Sequence, residues 1–326
     1  MSKRIALVVG ANGQDGSYLS EHLVSMNYEV HGIIRRNSVC EHQESRLSHL
    51  EEKMITHYGD LNDAGSLEKV MTMVMPDEIY SLGAQSHVRI SYDIPQYTAQ
   101  TNAIGVLNML EAYRRICPRA RFYQASSSEC FGDSVDPDGY QRETTVMNPV
   151  SPYGCAKVFG YNIVRNYRKA YNLMAFNGLL FNHESPRRGS NFVTNKVVKG
   201  AVRISLGLQD DIELGNLDAK RDWGHSYDYV RAMHMIINHS MADDFVVATG
   251  ETRSVRDMCD YIFSRLDLDY NKYVKVNPKY FRSQELPYLR GDCTKLKNTF
   301  GWKPMYTFES MMDEMLTFWV KHYNKK

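Results

Sequence analysis

The 326-residue chain carries 39 Lys plus Arg against 38 Asp plus Glu, a formal net charge of +1. No global field therefore draws it to nucleic acid or to an anionic membrane, and any anion recognition must be local. Its six cysteines are scattered without a CxxC pair, and no window approaches the roughly 20 apolar residues that span a bilayer, so a soluble cytoplasmic protein is expected, with room for one domain and an accessory lobe.

Ile5–Val9 reads as a buried parallel strand that runs into Gly10, Gly13 and Gly16, and a helical pattern follows over 18–26. Strand, glycine turn and helix together form a phosphate cradle, because small residues let backbone N–H groups and the positive helix end approach a pyrophosphate. The spacing is GxxGxxG, and a plain tight turn is the alternative. A second strand over 30–34 ends in Arg35 and Arg36, where dinucleotide folds commonly carry an acid for the adenosine ribose. Arginine there suits the 2′-phosphate of NADP, and a solvated basic turn is the other reading.

Residues 37–53 read as an irregular polar excursion with a short helix. A third strand, Met54–Tyr58, leads to Asp60 and Leu61, placed to meet adenine. A helix over 67–75 stops at Pro76, and a fourth strand over 78–82 opens into Gly83, Ala84, Gln85, Ser86 and His87, small residues that leave room for the nicotinamide half. His87 is read as a structural histidine. A helix over 98–116 precedes a fifth strand over 121–125.

That strand ends in Ser126, Ser127, Ser128 and Glu129. If it stays regular, Ser127 and Glu129 share a face. Pro149, Ser151 as a cap, and Pro152 then introduce a helix carrying Tyr153 and Lys157. Four residues apart, these side chains lie one turn apart on one face, so the ammonium can reach toward the tyrosine hydroxyl or a ligand beside it and make the phenolate easier to form. A surface pair of no consequence is the alternative.

A sixth strand over 174–180 is followed by a donor-rich loop from Asn182 and His183 through Arg187 and Arg188, suited to diphosphate contacts. Beyond it, small mixed elements read as a second lobe over the sheet ends. The expected fold is a Rossmann-type doubly wound parallel sheet with a smaller mixed α/β lobe. Residues 1–180 would form the nucleotide-binding domain and 181–326 mostly the substrate lobe, with late sheet elements returning around 215–250.

GANGQDG at 10–16, YGDL at 58–61, LGAQSHV at 82–88, SPYGCAK at 151–157, NHESPRRG at 182–189, GNLDAKRDWGH at 215–225 and RGDCTK before GWKP together resemble the GDP-mannose 4,6-dehydratase family of extended short-chain dehydrogenases/reductases. The resemblance implies a lyase that regenerates its NADP. Tyr153 would be the base at the sugar 4-hydroxyl, Lys157 would hold the tyrosine and the cofactor ribose, Glu129 would remove the carbon 5 proton, and Ser127 would complete the catalytic set. Gly10, Gly13, Gln14, Asp15, Arg35, Asp60, Leu61, Ala84, Ser86, His183 and Arg188 would contact NADP. Ser86, Asn182, Arg221, Arg282 and Glu285 would place the GDP-sugar.

Ser127 stands where the family commonly has threonine, which keeps a GDP-linked manno-heptose beside GDP-mannose as an alternative substrate. A GDP-4-keto-sugar reductase or epimerase and a non-enzymatic NADP-binding regulator are the competing readings from other classes. A homodimer or homotetramer is implied, with residues 37–50 departing from the family's serine-rich loop.

Overall fold

The computed structural model describes residues 3–36, 46–281 and 284–324. Arg282 and most of the excursion after Arg36 therefore lie outside the described residues. The chain opens with β1 (Ile5–Val9), α1 (Gln14–Ser25), β2 (Glu29–Ile34), β3 (Met54–Tyr58), α2 (Ala64–Val74) and β4 (Glu78–Ser81). Short helices α3 (Val88–Asp93) and α4 (Pro95–Ala99) lead through a π turn (Gln100–Ile104) into α5 (Gly105–Ile116), β5 (Arg121–Ser127), α6 (Pro152–Ala170) and β6 (Ala175–Leu180). Then come β7 (Asn182–Glu184), α7 (Val193–Ser205), β8 (Ile212–Leu214), β9 (Lys220–Arg221), β10 (Trp223–His225), α8 (Ser226–Ile237) and β11 (Asp244–Val247). β12 (Arg253–Ser254), α9 (Val255–Ser264), α10 (Tyr270–Tyr273), β13 (Val274–Val276), β14 (Tyr288–Leu289), α11 (Thr294–Phe300) and α12 (Phe308–Asn324) follow.

The central sheet has seven strands in the order β11-β6-β5-β4-β1-β2-β3, all parallel. Successive residues of β1 face opposite layers: Ala6 and Val8 pack with Leu19, Leu23 and Tyr229, whereas Leu7 and Val9 pack with Leu67, Met71 and Met109. Burial on both faces explains why the strands read as continuous apolar runs. The strand order reverses between β1 and β4, which is where such sheets open a ligand crevice. Register brings Val9 beside Ser81, Ser81 beside Gln124 and Ser127 beside Leu180, so the glycine loop and the Ser127 turn leave the sheet at the same edge.

A third apolar cluster joins α7, α9 and α12 around Val198, Ile262 and Met315 and forms the body of the second lobe. The sheet layer also recruits late chain: α8 lies against α1, while Leu289, Leu296 and Trp302 are buried in the same core as β1 and β6.

Candidate active site

Gly10 has φ +81°, and a Cβ there would lie 2.9 Å from the Gly83 backbone; at Gly16 it would lie 2.2 Å from the Gly10 carbonyl oxygen. These two glycines allow the turn to close. At Gly13 an added Cβ would meet only the Gly10 oxygen, at 3.1 Å, and otherwise enter open space. Gly13 begins α1 with no side-chain cap, so first-turn N–H groups face the gap that a pyrophosphate would fill. The residues present therefore fit a dinucleotide.

The loop after β6 is fastened over this helix start. Gln14 Nε2 donates to the His183 carbonyl at 3.1 Å, and Ser185 Oγ donates to Gln14 Oε1 at 2.8 Å. His183 bridges two acceptors: its Nδ1 lies 2.7 Å from the Phe181 carbonyl and its Nε2 2.7 Å from Asp15 Oδ2. Both contacts are satisfied together only by the imidazolium. Burial opposes both charges, yet the His183 charge and hydrogen bond, joined by Ser226, hold Asp15 down at about 2, and Asp15 in turn raises His183.

The depressed Asp15 adds stability above the unfolded carboxylate range, near pH 4, and loses it as pH falls toward 2. The raised His183 adds stability below about pH 6.5 and loses it as pH rises through its folded pKa. Replacing His183 by glutamine is therefore expected to lower Tm by several degrees near ~pH 6 and by clearly less near ~pH 9.5. Calorimetry at the two pH values checks this; equal losses contradict it.

The Arg35 guanidinium, just after β2, reaches the Tyr97 hydroxyl on α4. Asp60 Oδ1 accepts from the Asn62 amide at 2.9 Å, whereas Leu61 is a core residue whose carbonyl accepts from Asn108 at 2.8 Å. Within the helical stretch expected over 98–116, the π turn places Asn102 against Gln85: the Gln85 amide donates to Asn102 Oδ1 at 2.8 Å and Asn102 Nδ2 donates back to the Gln85 carbonyl at 2.7 Å. A local widening of the helix thus fixes the loop between Ala84 and Ser86.

A cavity of about 320 Å³ collects Asp15, Ala84, Ser86, Ser127, Glu129, Tyr153, Lys157, Asn182, His183, Arg188, Arg221 and Glu285 among its lining. Gly10, Gly13, Gln14, Arg35, Asp60 and Leu61 lie outside that lining. The strand runs past the expected 125 and ends at Ser127, and Ser128–Cys130 forms a 3-10 turn, so the regular strand on which a shared face for Ser127 and Glu129 depended stops between them. Ser127 Oγ accepts from the Glu129 amide at 3.2 Å, so turn and strand end are tied together. Ser151 caps α6 as expected, its Oγ accepting from the Gly154 amide at 3.0 Å.

The Lys157 ammonium reaches β5. It donates to the Ala125 carbonyl at 2.8 Å and stands 5.7 Å from the centre of the Tyr153 ring. Burial lowers Lys157 to about 8 and pushes the Tyr153 phenol well above its usual range, with the hydrogen bond from Ser127 acting the other way. The ammonium's hydrogen bond thus goes to a backbone carbonyl, with the Tyr153 ring beyond it.

Toward the second lobe, Asn182 in β7 pairs beside Trp223 in β10, and Arg221 Nη2 contacts Glu285 at 3.3 Å. Arg188 stacks over Phe192 at 3.7 Å and pairs in charge with Glu184, its Nε 2.9 Å from Oε2. Sequence reasoning missed Asn216 and Tyr280, which also line the cavity, and the place of Lys196 there, with its ammonium 3.8 Å over the Tyr280 ring. Lys196 had only its helix-face position as a signal, and nothing in the spacing links it to Tyr280.

The profile of a family described as GDP-mannose 4,6 dehydratase matches residues 7–315. A relative with the name GDP-mannose 4,6 dehydratase from Homo sapiens is 45% identical, covering 96% of this chain and 91% of its own. One of the same name from Drosophila melanogaster is 45% identical, covering 96% and 85%. In fold the chain is similar to a crystal structure of dTDP-glucose 4,6-dehydratase from Streptomyces venezuelae with NAD bound, at a TM-score of 0.87, 21% identity and 98% coverage of both chains. The chain belongs to the GDP-mannose 4,6-dehydratase family.

Proposed function

We propose that this protein converts GDP-mannose to GDP-4-keto-6-deoxymannose with NADP as a resident, regenerated carrier. The observation that carries the reading is a carboxylate, Glu129, in the same buried cavity as Ser127 and Tyr153. A ketone reductase has use for the tyrosine but none for a base at carbon 5. The chemistry NADP supplies when bound is acceptance of hydride from carbon 4 and its return at carbon 6, so no external reductant is consumed.

The chain's own groups handle the protons. Tyr153 acts as its phenolate, the form that the hydrogen bond with Ser127 favours against burial, and takes the proton of the 4-hydroxyl as the carbon 4 ketone forms. The ketone acidifies the neighbouring carbon 5 proton, which Glu129 removes and passes to the departing carbon 6 hydroxyl, releasing water. A proton returned to carbon 5, matched by the one Tyr153 gives up to solvent, closes the cycle with atoms and charge balanced. Lys157, anchored on the Ala125 carbonyl beside the tyrosine, is placed to hold a ribose hydroxyl and to fix the tyrosine's position. Arg221 and Glu285 face the nucleotide end of the sugar nucleotide.

Incubation with GDP-mannose and no added reductant, followed by mass spectrometry, is expected to show loss of one water. Product formed only when NADPH is supplied would replace this reading by a reductase. The choice of NADP over NAD rests on Arg35 and Arg36 at the end of β2. Arg35→Ala is expected to weaken NADPH binding by roughly tenfold or more while leaving NADH binding within about twofold, as measured by nicotinamide fluorescence titration. Equal weakening of both would remove the 2′-phosphate from its role.

A further inference from the structure

Asp222 is fully buried, and among the described residues its carboxylate is held by N–H and O–H dipoles. Its Oδ1 accepts from the Thr249 amide at 2.9 Å and from the Thr249 hydroxyl at 2.7 Å, and its Oδ2 accepts from the Gly250 amide at 2.8 Å and the Gly291 amide at 3.4 Å. Its own amide donates to the Leu289 carbonyl at 3.1 Å. One carboxylate thereby joins the loop after β11, the strap formed by residues 285–292, and the strand end that carries Arg221.

The strap is closely fitted. A Cβ at Gly291 would lie 2.3 Å from the Ala248 methyl and 2.8 Å from the Phe181 ring, so the strap lies directly on the ends of β6 and β11. Arg290 Nε donates to the Gly250 carbonyl at 2.8 Å, and Gln141 accepts from the Arg290 amide at 3.1 Å while its own amide donates to the Arg290 carbonyl at 2.9 Å. Leu289 pairs with Arg221 in register, and Glu285, four residues earlier, meets the Arg221 guanidinium.

We propose that Asp222 is a positioning residue for the substrate's nucleoside diphosphate: its carboxylate knots the strap to β9 and so presents Arg221 and Glu285 to the nucleotide. This rests on the nucleotide-sugar reading of the cavity. A carboxylate is required because four donors converge on two oxygens. An asparagine of the same shape supplies one acceptor and turns its NH₂ toward N–H groups that then lose their partner.

The test is calorimetric titration of the full-length protein with GDP, together with steady-state kinetics on GDP-mannose. Asp222→Asn is expected to raise the GDP Kd and the KM about tenfold, with kcat and NADPH affinity within about twofold of wild type. Thr249→Val removes one of the four bonds and is expected to raise both about two- to fivefold; it decides the matter if the asparagine variant does not fold. A variant with wild-type circular dichroism and unchanged GDP affinity overturns the positioning role, since loss of thermal stability alone is what a merely structural carboxylate would show. Wild-type protein that fails to bind GDP overturns the nucleotide-sugar reading as well.

Discussion

Replacement of Glu129 by glutamine is expected to lower formation of the dehydrated product by about 10³-fold, while oxidation at carbon 4 survives. Glutamine keeps the size of the side chain, and the Glu129 backbone amide remains bonded to Ser127, so the turn after β5 should hold its shape. What is lost is the capacity to accept the carbon 5 proton. The reaction then stalls after its first half, and reduced nicotinamide absorbance should build up to about one equivalent per active site on addition of GDP-mannose. Wild-type protein, which consumes the 4-ketone as it forms, should accumulate little. A variant that turns over normally would assign the elimination to another base.

Tyr153→Phe is expected to produce a loss of similar size, about 10³-fold, by a different route. With no phenol at the 4-hydroxyl, neither half of the reaction starts, and reduced nicotinamide should not accumulate. Cofactor binding should persist, because the Gly13 cradle and the Lys157 anchor on Ala125 do not depend on the tyrosine hydroxyl. The pair of variants therefore separates the two proton transfers: one stops after oxidation, the other before it. Absorbance appearing in the phenylalanine variant at the glutamine variant's level would contradict the assignment.

The features that were legible in the sequence are those a short window determines. A run such as Ile5–Val9 followed by glycines and a helix, the Ser151 cap before Pro152, and the one-turn separation of Tyr153 and Lys157 all depend on residues within a few positions of one another. The seven parallel strands follow from the alternation of such runs with helices. Features that depend on distant partners were hidden. Asp15 meets His183 across 168 positions, Asp222 gathers donors from two later loops, and Lys196 covers Tyr280.

Some local details have physical causes that spacing does not carry. Hydrogen bonding of the Glu129 amide to Ser127 accompanies the turn that ends β5, and the Asn102–Gln85 amide pair accompanies a π turn within the expected helix. In the second lobe, strands of two or three residues, such as β9, β12 and β14, are too short to show any periodicity. For Lys157, spacing places two side chains on a helix face but does not say which acceptor a buried ammonium will choose. The Ala125 carbonyl, at the end of β5, is the acceptor it meets.

The most direct test of internal hydride transfer is to supply GDP-mannose deuterated at sugar carbon 4, with catalytic NADP and no reductant, and to locate the label in the product by mass spectrometry and NMR. Dehydration by the route described places the deuterium on carbon 6, in the new methyl group. Deuterium found in released reduced cofactor, lost to solvent, or retained at carbon 4 would contradict it.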